Sequence, residues 1–218
     1  MTINPEELAH LFIAGEDAQA MKNILEYLET HSRKELFTNV LTPTMYHIGV
    51  LWERNDISVA DEHLATAICD FILSATEERN VQNDRAEGKV MVMGLEGEDH
   101  YLGLKMVASI FREKGWHVQY MGPNLPLDHA LDAAIRQKPD VIGLSAALAY
   151  RLPALKTYIR AFQQLDKPPV ILIGGRAMKL ADMTALEEEG AIVVRELDEL
   201  EQWIQSGKEQ SHEQHNFI

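Results

Sequence analysis

Three groups of residues in this chain have the types and spacing to do chemistry. The first lies in Gly94-Leu95-Glu96-Gly97-Glu98-Asp99-His100-Tyr101-Leu102-Gly103, where a carboxylate stands two residues before a histidine. Glu98 can hold one imidazole nitrogen of His100 and leave the other free to bind a metal. The second group is small and comes in two parts. Ser145 and Leu148 lie in Val141-Ile142-Gly143-Leu144-Ser145-Ala146-Ala147-Leu148, and Gly174-Gly175 close the run Val170-Ile171-Leu172-Ile173. Glycine lets a backbone approach a ligand that a Cβ would block, although any tight turn also uses one. The third group is Trp52, followed by the nine residues Glu53 to Asp61 and then Glu62-His63. An indole offers a broad apolar face, and the carboxylate and imidazole offer polar contacts. Each group also has a plain alternative. These are a helix-capping loop with a solvated histidine, ordinary turns, and a bundle-core tryptophan beside a solvated first helical turn.

The elements that must position these residues follow from periodicity. The apolar run Val90 to Met93 predicts a strand just before the His100 loop, and Leu102 to Lys114 predicts the helix after it. Strands are predicted at Val90–Leu95, Val118–Met121, Val141–Ser145, Val170–Ile173 and Ile192–Val194. Helices are predicted between them at Leu102–Lys114, Leu127–Gln137, Leu152–Leu165 and Met178–Glu189, with a last one at Leu197–Gln205. Such alternation gives a parallel, doubly wound sheet. His100, Ser145 and Gly174-Gly175 then share the strand-exit edge, where open α/β sheets bind ligands.

Everything before about Asn80 reads as helix. Pro5–Ala14 is capped by Asn4, and Asp17–Thr30 carries Met21, Ile24, Leu25 and Leu28 at helical spacing. Arg33–Trp52 carries Leu36, Val40, Met45, Ile48 and Leu51, with a kink expected at Pro43. Ser58–Asn80, capped by Ser58, carries Leu64, Ala67, Ile68, Phe71, Ile72 and Ala75. The fold class expected is an N-terminal four-helix bundle, residues 1–83, followed by a Rossmann-like (flavodoxin-like) five-stranded parallel sheet domain, residues 88–206. A polar linker runs from Val81 to Gly88, and residues 207–218 are expected to be a disordered tail.

Glu98-x-His100-x-x-Gly103 resembles the corrinoid-binding signature, most often written Asp-x-His-x-x-Gly. The resemblance implies that His100 is the lower axial ligand of cobalt, with Glu98, Asp99, Tyr101, Leu102 and Gly103 around the cofactor; ordinary loop packing is the alternative for Tyr101 and Leu102. It implies that the cofactor's own base is displaced and that its tail enters the crevice lined by Ser145, Leu148, Gly174 and Gly175. The order of bundle and sheet domain resembles the cobalamin-binding module of methionine synthase and of corrinoid proteins in methyl transfer, over about residues 5 to 205. The pattern Trp52-x9-Glu62-His63 further resembles the cap of adenosylcobalamin-dependent photoreceptors, light-sensing repressors of carotenoid genes. There the Trp packs over the upper ligand, and the Glu and His shape its pocket.

Two departures qualify that likeness. The better-known photoreceptors carry a DNA-binding domain ahead of the bundle, and here only Met1 to Asn4 precede the first predicted helix. They also have a His directly after the Trp that can bind cobalt after photolysis; here that position is Glu53, and His47 lies five residues before Trp52.

Composition sets further bounds. A net charge of −14 argues against direct nucleic-acid binding. The single Cys69 excludes an internal disulfide. No apolar run reaches transmembrane length, and the first residues carry no signal-peptide pattern, so a cytoplasmic protein is expected. No Cys pair or His-x3-His spacing suggests zinc, and no Gly-x-Gly-x-x-Gly or P-loop suggests a mononucleotide. The expected function is an adenosylcobalamin-binding light sensor or cobalamin-dependent regulator, not itself an enzyme, acting through a protein partner or self-association. The alternative is a corrinoid carrier of a methyltransferase system, with methylcobalamin as its cofactor form. A subunit of a radical mutase, or a storage protein, is a third class, and a stand-alone mutase would need a second catalytic domain.

Overall fold

The computed structural model describes residues 2–77, 86–179 and 182–215, with side chains up to Ser206. The chain divides into two compact units, Met1–Glu78 and Arg79–Ile218. Residues 81–85 of the expected linker lie outside the described residues.

The N-terminal unit is helical. It comprises α1 (Pro5–Ile13), α2 (Asp17–Leu28), α3 (Arg33–Glu35), a π-helical segment (Leu36–Leu41), α4 (Thr42–Glu53) and α5 (Val59–Ala75). The caps are those the sequence predicts. Asn4 accepts a hydrogen bond from the Glu6 N–H, and Ser58 accepts from the Asp61 N–H in a reciprocal capping box. The expected kink at Pro43 takes the form of the π segment just before it. Pro43 has no N–H to give the preceding turn, and the Thr42 N–H reaches back to the Phe37 carbonyl. The Thr44 hydroxyl donates to the Val40 carbonyl at 2.7 Å.

The core of this unit includes Leu8, Phe12, Ile24, Leu36, Phe37, Val40, Leu41, Ile48, Ile68, Cys69 and Ile72. Five residues expected in apolar stripes face outward instead: Ala67 and Ala75 are exposed, and Leu25, Leu64 and Phe71 are 52%, 42% and 52% exposed. On α5 the buried side turns on Ala65, Ile68, Cys69, Ile72 and Leu73. The helix therefore has a second apolar side, Leu64, Ala67 and Phe71, that this unit does not bury. Periodicity cannot tell two adjacent apolar stripes from one wide one.

The C-terminal unit alternates β1 (Lys89–Leu95), α6 (Leu102–Glu113), β2 (His117–Leu125), α7 (Leu127–Gln137), β3 (Val141–Ser145), α8 (Leu152–Gln163), β4 (Val170–Gly174), α9 (Thr184–Glu187), β5 (Ala191–Val193) and α10 (Leu197–His215). The strands are parallel in the order β2-β1-β3-β4-β5. Strand order reverses between β1 and β3, and the crevice at such a reversal is where this topology takes its ligand. One face packs Met91, Met93, Ile142, Leu144, Ile171 and Ile173 against Ala130 and Ala134 of α7 and Leu155, Ile159 and Phe162 of α8. The alternate residues Val90, Val92 and Leu172 are also buried, as a sheet covered on both faces requires.

Three differences from expectation concern ends. β2 runs on to Leu125, with register shifts against β1. The helix expected at Met178–Glu189 shrinks to a 3-10 turn, Arg176–Lys179, and α9. The Asp182 carboxylate binds the N–H and hydroxyl of Thr184, which starts the helix only there. Finally, α10 runs ten residues past the expected end, so the backbone of residues 207–215 is helical where a disordered tail is expected. That stretch is mostly Glu, Gln, Lys, Ser and His, and only Gly207 opposes a helix strongly.

Candidate functional site

The loop after β1 is held by residues distant in sequence. The Tyr158 hydroxyl accepts from the Glu96 N–H at 3.2 Å and donates to the Leu125 carbonyl at 2.6 Å. Burial pushes the Tyr158 phenol up, which keeps that donor proton in place. The Asn124 side chain accepts from the Gly97 N–H at 2.7 Å, and the Asn124 N–H donates to the Glu98 carbonyl at 3.0 Å. Arg151 Nη2 donates to the Gly97 carbonyl at 2.7 Å. Gly97 has φ +74°, and a Cβ there would run into the Arg151 guanidinium. Glycine is therefore needed twice over at this position.

This scaffold fixes Glu98, whose residue surface is fully buried. One carboxylate oxygen accepts from His100 Nδ1 at 2.6 Å and from the His100 N–H at 3.1 Å. The other accepts from the Ala147 N–H, in the exit loop of β3, at 2.7 Å. Burial pushes the Glu98 carboxyl up, but the hydrogen bonds from His100 and Ala147 outweigh it and leave it below the ordinary glutamate range. An ionised carboxylate only accepts, so Nδ1 carries the proton and the neutral ring's lone pair sits on Nε2. The bond to Glu98 also raises His100 above the usual histidine value, against burial and the nearby Arg176 charge. The side chain of His100 is about half exposed. The arrangement presents one oriented imidazole nitrogen, backed by a buried anion, at the strand ends. That is the donor chemistry a metal ligand needs.

The other predicted residues of this unit fall on the same edge. Gly94, Ser145 and Gly174 stand in register across β1, β3 and β4. Gly175 has φ +111°, and a Cβ there would collide with the Ala146 carbonyl. A Cβ on Gly103 would meet nothing within 4 Å, and one on Gly174 would meet only the Val194 carbonyl, at 3.5 Å. The protein's own packing thus leaves room at both, as a cradle for a bulky ligand would. Among the described residues the Ser145 hydroxyl has no hydrogen-bond partner. Leu148, Tyr101 and Leu102 are half-buried, and Asp99 is exposed. The residues present therefore fit a corrinoid: His100 would hold its metal through Nε2, and the small residues at the strand ends would leave room for its bulk.

The third group lies in the N-terminal unit. Trp52 is in the last turn of α4 and is 47% exposed, which overturns the plain alternative of a bundle-core residue. Glu62 and His63 are in the first turn of α5, and residues 54–58 join the two helices, so all three lie at one end of this unit. His63 Nδ1 donates to the Val59 carbonyl at 2.8 Å and lies 3.0 Å from a Glu62 oxygen, while the other Glu62 oxygen accepts from the Thr66 hydroxyl. Among the described residues no hydrogen bond joins Trp52 to either. The His47 ring sits edge-on to His10, with centroids 6.4 Å apart.

Residues 88–201 match the family described as the B12 binding domain. The chain belongs to this B12-binding family. Residues 5–77 match a second family of the same description. Curated relatives include the dimethylamine corrinoid protein 1 of Methanosarcina acetivorans, 23% identical over 65% of this chain and 68% of the relative. They also include the HTH-type transcriptional repressor CarH of Myxococcus xanthus, 26% identical over 66% of this chain and 48% of the relative. The chain thus spans about two thirds of the first and about half of the second. Among solved structures, the Methanosarcina barkeri monomethylamine corrinoid protein superposes with a TM-score of 0.71 over 90% of this chain and 94% of that one, at 17% identity. This likeness establishes a shared fold for the B12-binding chain. Among the described residues, no helix is long and apolar enough to cross a membrane.

The residues that sequence reasoning misses are Asn124, Ala147, Arg151 and Tyr158. They act on the His100 loop from 27 to 62 positions away in sequence, and no local pattern marks them. Gly94 is also missed. A Cβ there would press on Pro123, Asn124 and the Glu98 carbonyl at 3.1–3.4 Å, so it lets the end of β2 close over the loop.

Proposed function

We propose that this B12-binding protein holds adenosylcobalamin with His100 Nε2 as the lower cobalt ligand, and works as a light- or cobalamin-responsive regulator. The observation that carries the corrinoid part is the Glu98–His100 pair at 2.6 Å, with Glu98 buried and also bound to Ala147. Glu98 orients the ring and keeps the proton on Nδ1. Ser145, Leu148, Gly174 and Gly175 accommodate the nucleotide tail. Trp52, Glu62 and His63 would contact the upper ligand. An exposed indole costs apolar surface in water, and the N-terminal unit gives no packing reason for it. The His63 hydrogen bond to Val59 leaves Nε2 as an acceptor suited to an adenine or ribose donor. When bound, adenosylcobalamin would supply a light-sensitive cobalt–carbon bond. Losing the contacts made to its upper group would then shift the N-terminal helices between two states. The signal would pass to a partner or to a change in self-association.

The second reading is a corrinoid carrier working with a methyltransferase. It is supported by the dimethylamine corrinoid relatives and by the fold match along most of both chains. A methyl group fills far less of a pocket than adenosyl does, so the test is selectivity. Purified protein is titrated with adenosylcobalamin and methylcobalamin in the dark, then illuminated and followed by absorbance and light scattering. Tighter binding of the adenosyl form and a light-dependent change in spectrum and size are expected. Equal affinities with no light response would overturn the regulator and leave the carrier.

A further inference from the structure

We infer that Arg176 is a phosphate contact for the nucleotide tail of the corrinoid, and that it makes the protein prefer corrinoids carrying that phosphate. The inference rests on the corrinoid reading above. Arg176 directly follows Gly174-Gly175 at the C-terminal end of β4 and opens the 3-10 turn Arg176–Lys179. Gly174 is in register with Ser145, so the arginine stands beside the two small residues expected to admit the tail. It is exposed. Among the described residues its guanidinium has no hydrogen bond or ion pair. The other cation of the same turn, Lys179, is paired with Glu196 at 2.6 Å. An arginine left without a carboxylate is unexpected in a chain of net charge −14.

The periphery of a corrinoid is mostly amide. The phosphate of its nucleotide tail is the peripheral anion, and a guanidinium matches phosphate oxygens with paired donors. Neither Gly174 nor Gly175 can supply a charge, and the Ser145 hydroxyl supplies at most one hydrogen bond to an anion. The cation next in line is Arg176.

Two corrinoids isolate this contact: cobinamide, which ends in an aminopropanol, and cobinamide phosphate, which adds the phosphate alone. Both lack the base, so His100 can bind cobalt in either. Wild-type protein, titrated by visible absorbance, is expected to bind the phosphate form about tenfold more tightly, with the preference shrinking as salt is added. Arg176→Gln should abolish the preference by weakening only the phosphate form, and Arg176→Lys should retain part of it. A wild-type protein that binds both with a His100-dependent spectrum and no preference would overturn the role of Arg176 and leave the corrinoid reading standing. So would an Arg176→Gln variant that keeps the preference or weakens both forms equally. Failure of the wild type to bind any corrinoid would overturn both.

Discussion

The His100 loop and the Trp52 end of the N-terminal unit are built in opposite ways. His100 is backed by a buried carboxylate that is tied to the β3 exit loop, and its loop is tied to β2 and α8. Trp52, Glu62 and His63 are exposed or half-exposed, and the hydrogen bonds that hold Glu62 and His63 span no more than one helical turn. Long-range hydrogen bonds fix geometry before a ligand arrives and so reduce the cost of ordering on binding. Short-range bonds on a helix end leave side chains free to adapt. The first arrangement suits a permanent metal ligand, and the second suits a group that must come and go.

That contrast can be broken most directly at His100. His100→Ala should weaken corrinoid binding by about a hundredfold or more, or leave a base-on or water-ligated visible spectrum. An unchanged spectrum and affinity would remove His100 from the ligand role. Glu98→Gln should cost about tenfold in affinity, because it disturbs only the group behind the ligand. Glu98→Leu should also lower stability by about 1–3 kcal/mol in chemical denaturation, since it strands the buried Ala147 N–H. Trp52→Ala should weaken adenosylcobalamin by a few-fold to about tenfold and leave methylcobalamin nearly unchanged. Its stability cost should be under about 1 kcal/mol, because the indole is already half in water. A large loss of stability there would return Trp52 to a structural role.

The smallest effect is on titration of the ligand-free protein. His100 is raised and Glu98 lowered from their ordinary values of 6.5 and 4.5. The histidine's contribution to stability is complete below pH 6.5 and fades as pH rises through its raised value. The carboxylate's contribution is present above pH 4.5 and fades as pH falls through its lowered value. The pair therefore stabilises the loop most between those limits. NMR titration of His100 should show a value above 6.5 that drops in Glu98→Gln. A value at or below 6.5 in the unmodified protein would mean that the hydrogen bond to Glu98 does not hold in solution.

Much of this molecule was legible in its residues. Apolar runs of strand length separated by amphipathic stretches determined the parallel sheet, and Glu98-x-His100 after such a run marked the carboxylate–imidazole pair at the exit of β1. The Asn4 and Ser58 caps were equally local. These features are local because a periodicity or a cap is complete within a few residues. What only the tertiary structure decided was which apolar residues are buried and what stands behind the functional ones. Leu64 and Phe71 look like core residues in the sequence and are half in solvent. Trp52 could have been core and is not. The partners of Glu98 and of its loop, Ala147, Asn124, Arg151 and Tyr158, come from β2, the β3 exit and α8. Those contacts exist only because the strand order places the exit of β1 between those of β2 and β3, and a one-dimensional pattern carries no record of which distant segments a sheet will make neighbours.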